Sequence, residues 1–572
     1  MPQIPPIVFG PRASGSTEDE WLVADGLGGY ATGTVSGLRT RLQHALLTVG
    51  GQVALASLDL TLTLPSGARV PLYSHEWAGG PTSPEGHRHL EVFALVDGLP
   101  RWRWRVGDVV VERELALRHG HPSLAVVHRV VSAPAPVGLA VAAMCTWRAA
   151  GAERRAAGPM LKVEQVADGV VVEDAYRVAG PGWQPGGEWH RDARCRLDAA
   201  GEDLWHAGTY VQRVNSGEIA EISAWAGDLS RRPPAAAVVI GQARERARRI
   251  AGDDPLRMAA DAFVVDGPGV VAGYPGGRRA TMAAYEGLFL VTGRHEEGRE
   301  LLRAHEPGDE PDAPLWLVHA VDRHVARTGD TDLAAELAVP LGRILRRRIG
   351  GLLDPGDELL RLGDGKPVAL NALWVNALAA LAGLLEMARR DGTEPRTRHA
   401  TARASFRARF PAPEGWLHDV VEGPPATYPL GGGATHDDPT LRPGQLLAWS
   451  LPHAALPGDA SALRAIGPAL LTPLGLRTLS PHEYGYQPAT PDGRDGAVRP
   501  WLIGPWADAC AAAGLPTEGL LTGLSAHMAE YGLGSVSEAA EGDPPHRAGG
   551  CPFSARSVAE VLRVREEYPC AS

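Results

Sequence analysis

Lysine is nearly missing from this 572-residue chain: Lys162 and Lys366 are its only lysines among 56 basic residues. No basic run with interleaved aromatics occurs, and a net charge of -11 would repel a phosphate backbone, which argues against a nucleic-acid partner. No run approaches the roughly 18 apolar residues of a membrane-crossing helix. The opening MPQIPPIVFGPR lacks a charged n-region followed by an apolar stretch. A cytoplasmic protein without a membrane partner is expected. Cysteine is scarce too. The five, Cys145, Cys195, Cys510, Cys551 and Cys570, are odd in number and widely spaced, so neither a disulfide framework nor a zinc site is indicated. Buried free thiols are expected. No metal-ligand spacing is visible among the 20 histidines.

What is present changes texture near residue 230. Before it come short alternating runs, VALASLDLTLTL (53–64), DVVVERELALRH (108–119), SLAVVHRVV (123–131) and GVVVEDAYRV (169–178), separated by Gly and Pro. That spacing predicts an antiparallel β-sandwich over 1–230. After SRRPPAAA (230–237), which reads as a linker, apolar residues recur at helical spacing. Examples are ATMAAYEGLFLVTG (280–293), PLWLVHAVDRHVARTG (314–329), NALWVNALAALAGLLEMARRDG (371–392), RPWLIGPWADACAAAG (499–514) and SARSVAEVLRVREE (554–567). About ten to twelve such helices fit into 231–572, several closing on a Gly that can take the left-handed C-cap conformation. An α/α toroid, its inner helices presenting loops to one end, is the economical arrangement. Two or three domains agree with the length.

The densest signal lies at EWLVADGLGGYATGTVSGLRTRLQHALLTV (20–49), where Gly26, Gly28, Gly29, Gly33 and Gly37 punctuate strand-forming residues. Gly26, Gly28 and Ala31 satisfy a G-x-G-x-x-A nucleotide fingerprint. That loop needs a helix directly after it to hold a pyrophosphate. Thr32, Thr34, Val35, Ser36 and Gly37 are poor helix material, so a β-turn-β ribbon is expected instead.

This block resembles the N-terminal domain of bacterial and archaeal glycogen debranching enzymes (amylo-α-1,6-glucosidases), whose versions read E-W-L-x-x-N-G-L-G-G-Y-A-S-G-T-V-S-G-x-x-T-R-R-Y-H-G-L-L. Further landmarks follow in the family's order: AGYP (272–275), DAPLW (312–316), GKPVALNALWVNAL (365–378), LRPGQLLAWSLP (441–452), GLRTLSP (475–481), RDGA (494–497), RPWLIGPW (499–506), GSVSEAAEGDPPHRAGGC (534–551) and SVAEVLR (557–563). The resemblance implies a β-sandwich ahead of an (α/α)6 barrel, a glycogen or other α-glucan partner, inverting hydrolysis of α-1,6 branch linkages, and no cofactor.

Inversion needs a protonated carboxyl to protonate the leaving oxygen and a carboxylate to activate water on the opposite face of the sugar. Glu538 matches the glutamate of G-S-I-S-E-I-F-D-G-D-P-P-H, which the resemblance makes the general base. The family's T-W-M-D-A segment, whose Asp is the expected acid, is absent from LLDPGDELLRLGDGKPVALNALW (352–374). Asp357, Glu358 and Asp364 are the nearest acids, none with a Trp-Met flank to desolvate it. Each reads as a solvated loop residue.

Other active-site loops depart as well. A-G-Y-P-W-F-G-R-W-G-R-D-T becomes AGYPGGRRAT (272–281), R-D-G-A-Y-H-Q-G-T-V-W-P-W shrinks to RDGAVRPW (494–501), and G-C-x-x-Q-A-W-S becomes GCPFSARS (550–557). Sugar clefts depend on aromatic faces and planar hydrogen-bonding groups, and those are the residue types lost.

Asp312 and Asp364 remain as acid candidates. Arg278 (or Arg279), Trp316, Trp374, Arg494, Asp495, Trp501 and His546 remain as substrate-binding candidates. Asp312 could equally cap a helix, Trp316, Trp374 and Trp501 could be core, and Arg494 with Asp495 could be a structural ion pair. Trp102 and Trp104 in RWRWR share one side of a strand, as an interdomain contact or a glycan platform. Two functions stand: an α-1,6-glucosidase, or a catalytically impaired homologue that binds α-glucan or a protein partner.

Overall fold

The computed structural model describes residues 4–9, 18–267, 269–275, 282–423, 436–489 and 495–569. They divide into two compact units. The first holds Met1–Gly267, Gly273–Arg278 and Met528–Ser535. Its two largest sheets, both antiparallel, run, in spatial order, Ile7–Val8, Leu90–Val96, Leu99–Val106, Val109–Leu117, Ser123–Ser132, Ile219–Ala226, Tyr176–Ala179, Gly169–Val172, Val163–Val166; and Trp183–Cys195, Ala200–Val214, Val137–Ala149, Gln52–Thr63, Leu47–Val49, with Arg69–Pro71 also paired to Gln52–Thr63. Alternation puts Leu58, Leu60, Leu139 and Val141 of one sheet in the same buried cluster as Val111, Leu115, Val126 and Ile222 of the other. The expected sandwich is therefore present. Helix Ala236–Ala251 buries Val239, Ile240 and Ala247 and packs on Val109–Leu117 and Ser123–Ser132. The first unit thus continues beyond the 230–237 linker, to Gly267.

Residues 20–34 form the expected ribbon, Glu20–Ala24 paired antiparallel with Tyr30–Thr34. In the turn, the Asp25 carboxylate accepts from the Leu27 and Gly29 amides at 2.7 and 2.9 Å. The amides that a phosphate would need are taken, and a strand follows. Gly29 admits no side chain, since a Cβ would lie 2.2 Å from Asp25 Oδ2. Glu20 is buried and accepts from Arg41 Nε at 2.9 Å, with His44 Nε2 at 2.9 Å on its other oxygen. Its backbone amide donates to Tyr531 O at 2.6 Å.

Trp102 and Trp104 do share a side of their strand, and that side is the first unit's own core. Trp102 packs edge-on against Trp21 and Phe93, and its indole N–H donates to Val35 O at 2.9 Å. Cys145, Cys195 and Cys510 are buried free thiols and Cys551 is half-buried; Cys570 lies outside the described residues.

The second unit contains ten α-helices among its described residues, the longest being Val368–Met387, Thr331–Ile349 and Thr393–Arg409. Ala313–Thr328 packs on Thr331–Ile349 and Val368–Met387, and the latter packs on Thr393–Arg409. Val368–Met387 is long and apolar enough by composition to cross a membrane, yet most of it is buried inside the unit, as a core helix. The stretch 280–293 departs from expectation: it gives a 3-10 turn at Met282–Ala284 and a π-turn at Glu286–Leu290. A Cβ on Gly287 would lie 2.1 Å from Ala559 O, so this backbone is pressed against helix Ala555–Glu567. Short strands Leu471–Thr472, Gly475–Arg477, Val498–Arg499, Ala539–Ala540 and Ala548–Gly549 form a five-stranded sheet.

Candidate functional site

Glu538 directly precedes strand Ala539–Ala540 of that five-stranded sheet. Its main chain is anchored to the neighbouring turn by Glu538 N donating to Cys551 O at 2.8 Å. Its carboxylate accepts from Arg499 Nη1 at 2.9 Å and from Cys551 N at 3.2 Å. With 49% of the side chain exposed, Glu538 is both held in place and open to water. Gly550, at φ +68°, leaves room for it: a Cβ there would lie 3.2 Å from Glu538 Oε2.

Arg499 leads into Trp501, and the Trp501 ring meets a residue that the motif comparison registers only as a loss. In GCPFSARS, Arg556 occupies the place of the family Trp. Its guanidinium carbon is 3.2 Å from the Trp501 ring centre and 5.5 Å from that of Trp316. No hydrogen bond or ion pair satisfies this guanidinium among the described residues, and Nε is buried without a partner. Burial lowers Arg556 to about 10, with Glu560 and Asp312 pulling upward and Arg499 adding to the fall. It remains a cation at neutral pH.

Asp312 stands at the start of helix Ala313–Thr328, but its side chain makes no cap hydrogen bond. It is half-buried and acts on Arg556 through charge. One helical turn on, Trp316 is buried and meets His319 edge-on at 5.4 Å. His319 Nε2 and Arg323 Nε hold Glu286 at 3.2 and 2.7 Å, which overcomes the effect of burial and keeps Glu286 well below the usual carboxylate range. Through Arg499 and Arg556 the structure links four of the sequence candidates: Glu538, Trp501, Trp316 and Asp312.

The remaining candidates are used elsewhere. Asp364 sits exposed in a turn closed by the Leu362–Gly365 bridge, with none of the desolvation that acid work requires. Asp357 is not simply solvated: with Asp354 and Glu422 it surrounds the buried Lys366 ammonium at 2.6, 2.9 and 2.9 Å. Glu358 accepts from Arg398 Nε at 2.8 Å, and Arg398 covers the Trp374 ring at 5.2 Å. Trp374, 2% exposed and donating to Glu358 O, is a core residue and not a sugar platform. Asp495 accepts from Arg442 at 3.2 Å. The pairing envisaged with Arg494 cannot be placed, because Arg494, like Arg278 and Arg279, lies outside the described residues. His546, at φ +59°, directs Nδ1 to Glu541 O at 3.0 Å and closes its own turn.

Asp419 was missed in the sequence. It directly precedes strand Val420–Gly423, its backbone tied to Val368 N and Asp438 O at 2.8 Å each. Burial raises its carboxyl to about 6, opposed by Arg442 at 3.7 Å and helped by Asp438. Three described acids in this unit are pushed upward: Asp419, Glu560 and Glu567. The latter two are bonded to Arg563. Apolar flanks, Leu417 before it and Val420–Val421 after it, are the signal that could have marked Asp419.

Residues 19–220 match the family model described as glycogen debranching enzyme N terminal, and 356–563 match that described as amylo-alpha-1,6-glucosidase. No protein of curated function matches the chain in sequence. Among solved structures, a bacterial glucoamylase complexed with acarbose superimposes with a TM-score of 0.59 at 11% identity, covering 98% of this chain and 97% of that one. The fold is therefore glucoamylase-like. A mannosylglycerate hydrolase from Thermus thermophilus matches 54% of this chain and all of its own at 13% identity, with a TM-score of 0.42, too loose to bear on the fold.

Proposed function

This chain resembles the glycogen debranching enzymes in both halves, and from that premise we propose that it is a glycoside hydrolase acting on α-1,6 branch points of an α-glucan. The setting of Glu538 carries the reading. A general base in inversion must be ionised, fixed in direction and reachable by water. A carboxylate bound by Arg499 and a backbone amide, and half open to solvent, is fixed in direction and reachable by water. Asp419 is the proton donor in this reading, because its raised carboxyl keeps a substantial protonated fraction near pH 6 and no arginine is bonded to it closely. No cofactor is required. The test is glucose release from an α-1,6-branched limit dextrin by the wild type, Glu538→Gln and Asp419→Asn. Release by the wild type that both substitutions abolish supports the assignment. Equal and negligible release by all three rejects hydrolysis.

A second reading is favoured by Arg556. Its guanidinium occupies the ring faces on which a glucose would stack. A homologue that binds α-glucan weakly, or holds a protein partner, without cleaving the linkage fits that arrangement. Co-sedimentation with glycogen, unaccompanied by glucose release, would support glucan binding alone.

A further inference from the structure

The first unit contains a side-chain cluster that the debranching reading leaves unused. Strand Trp183–Cys195 ends the sheet order, paired along its length with Ala200–Val214 and bridged on its outer side only at Ala193, to Trp77, among the described residues. Glu188 and His190 are two residues apart and so project from one face. Glu188 is the direct partner of His206 across the ladder, which brings a third polar side chain to the same place. The three ligand atoms lie within 4.8 Å of one another.

The distances are those of a coordination sphere. Glu188 Oε1 is 3.4 Å from His206 Nδ1 and 3.5 Å from His190 Nε2. In tetrahedral zinc sites, metal–nitrogen and metal–oxygen bonds of about 2.0–2.1 Å place neighbouring ligand atoms about 3.4 Å apart. Both measured edges fit. The two imidazoles stand edge-to-face, 5.8 Å between centres, so each can aim a nitrogen at the carboxylate without stacking on the other. An outer partner is present as well: His206 Nε2 is 3.0 Å from Thr209 Oγ1. Donation of the Nε2 proton to that hydroxyl leaves Nδ1 unprotonated and facing Glu188, the arrangement typical of a metal-ligating histidine.

We propose that Glu188, His190 and His206 form a binding site for a divalent transition metal of the zinc class. Two imidazoles and one carboxylate suit zinc, and also copper(II) or nickel(II), better than calcium or magnesium, which take oxygen ligands. Glu188 is exposed, leaving a fourth position open to water. The pairing of Trp183–Cys195 with its neighbour shifts register between Pro185 and Glu188 and again between His190 and Ala193. The cluster sits between these two interruptions. A bound metal would cross-link the edge strand in the short paired stretch between those two breaks in its ladder. In the sequence these residues show only as an alternating E-W-H at 188–190, without metal-ligand spacing, and the ladder is what adds His206.

The experiment is calorimetric titration of the full, chelator-stripped chain with ZnCl2, alongside His190→Ala, His206→Ala and Glu188→Gln. One zinc per chain is expected for the wild type. Each histidine substitution should weaken binding at least about tenfold, and Thr209→Val should weaken it by about tenfold or more through loss of the outer partner. Zinc should raise the unfolding midpoint of the wild type and leave those of the histidine variants nearly unmoved. A wild type that takes up no zinc overturns the proposal, as does unchanged affinity in a His190→Ala/His206→Ala double variant whose metal-free unfolding midpoint equals that of the wild type. Should the double variant fail to fold, unchanged affinity in Glu188→Gln, which alters one exposed carboxylate, overturns it equally.

Discussion

The guanidinium of Arg556 sits over the face of Trp501, with 3.2 Å between its central carbon and the ring centre. A face covered in this way cannot also stack on a pyranose. Arg556→Ala is expected to uncover Trp501 and Trp316 and to tighten binding of a neutral maltooligosaccharide. Ring-stacking energies of about 0.5–1.5 kcal/mol correspond to roughly 2- to 12-fold. Isothermal titration measures the change, and weaker binding in the variant would show that the cation assists the ligand instead of excluding it.

Glu538→Gln keeps one acceptor oxygen, enough for either Arg499 Nη1 or Cys551 N but not both, and removes the charge that activates water. Glucose release from a branched limit dextrin should fall by about 10² to 10⁴, while affinity for the dextrin stays within about twofold because uniform binding is untouched. A parallel loss of affinity would make Glu538 a binding residue and not a base.

For Asp419 the sign follows from linkage. Its folded value, about 6, lies above the ordinary 3.8. The folded state therefore holds this proton more tightly than the unfolded chain, and ionisation costs stability above pH 6 that is absent below pH 4. Asp419→Asn should be the more stable protein at pH 7.5, with an advantage that shrinks as pH falls from 6 to 4 and has an upper bound of about 3 kcal/mol. Urea unfolding at pH 4 and pH 7.5 checks this. In the active wild type, kcat/KM should decline as pH rises through about 6, and an unchanged alkaline limb in Asp419→Asn would remove Asp419 from the acid role.

Lys366 is buried, with all three ammonium protons directed at Asp354, Asp357 and Glu422. Burial alone would lower its pKa, but the three carboxylates reverse this and hold it above the usual ammonium value. Lys366→Met leaves three carboxylates facing one another and should destabilise the protein by about 3–5 kcal/mol. The contribution of the ammonium is fully present below pH 10 and is lost only as pH rises through the raised value. Denaturant unfolding at pH 7 reads the loss, and a change below about 1 kcal/mol would mean that the cluster is held by Arg361 and Arg409, which also pair with Glu422.

Alternation revealed the strands of the first unit because one sheet face is buried and the other is wet, so the pattern is local. Which side of a strand is buried is not local: RWRWR placed Trp102 and Trp104 together but could not say that Trp21 and Phe93 meet Trp102. The apolar spacing of 280–293 signalled a helix, yet the segment forms a 3-10 turn and a π-turn, and Gly287 lies close to Ala559 O, 272 residues away in the chain. At the proposed site, the position of Glu538 was legible from its motif. Arg556 and Asp419 were not, since one was recorded only as a missing Trp and the other owes its chemistry to burial, which spacing does not encode.

The clasp of Glu20 on Arg41 and His44 sets the meaning of the best-preserved segment. Each of these three residues is spent on closing the ribbon, so selection can keep all of them whatever happens to the pocket. A sequence profile weighted toward this ribbon would sort chains by shared scaffold and be blind to whether any of them still cuts a glycosidic bond. Classifying such chains by chemistry calls for reading positions 312, 419, 538 and 556 instead.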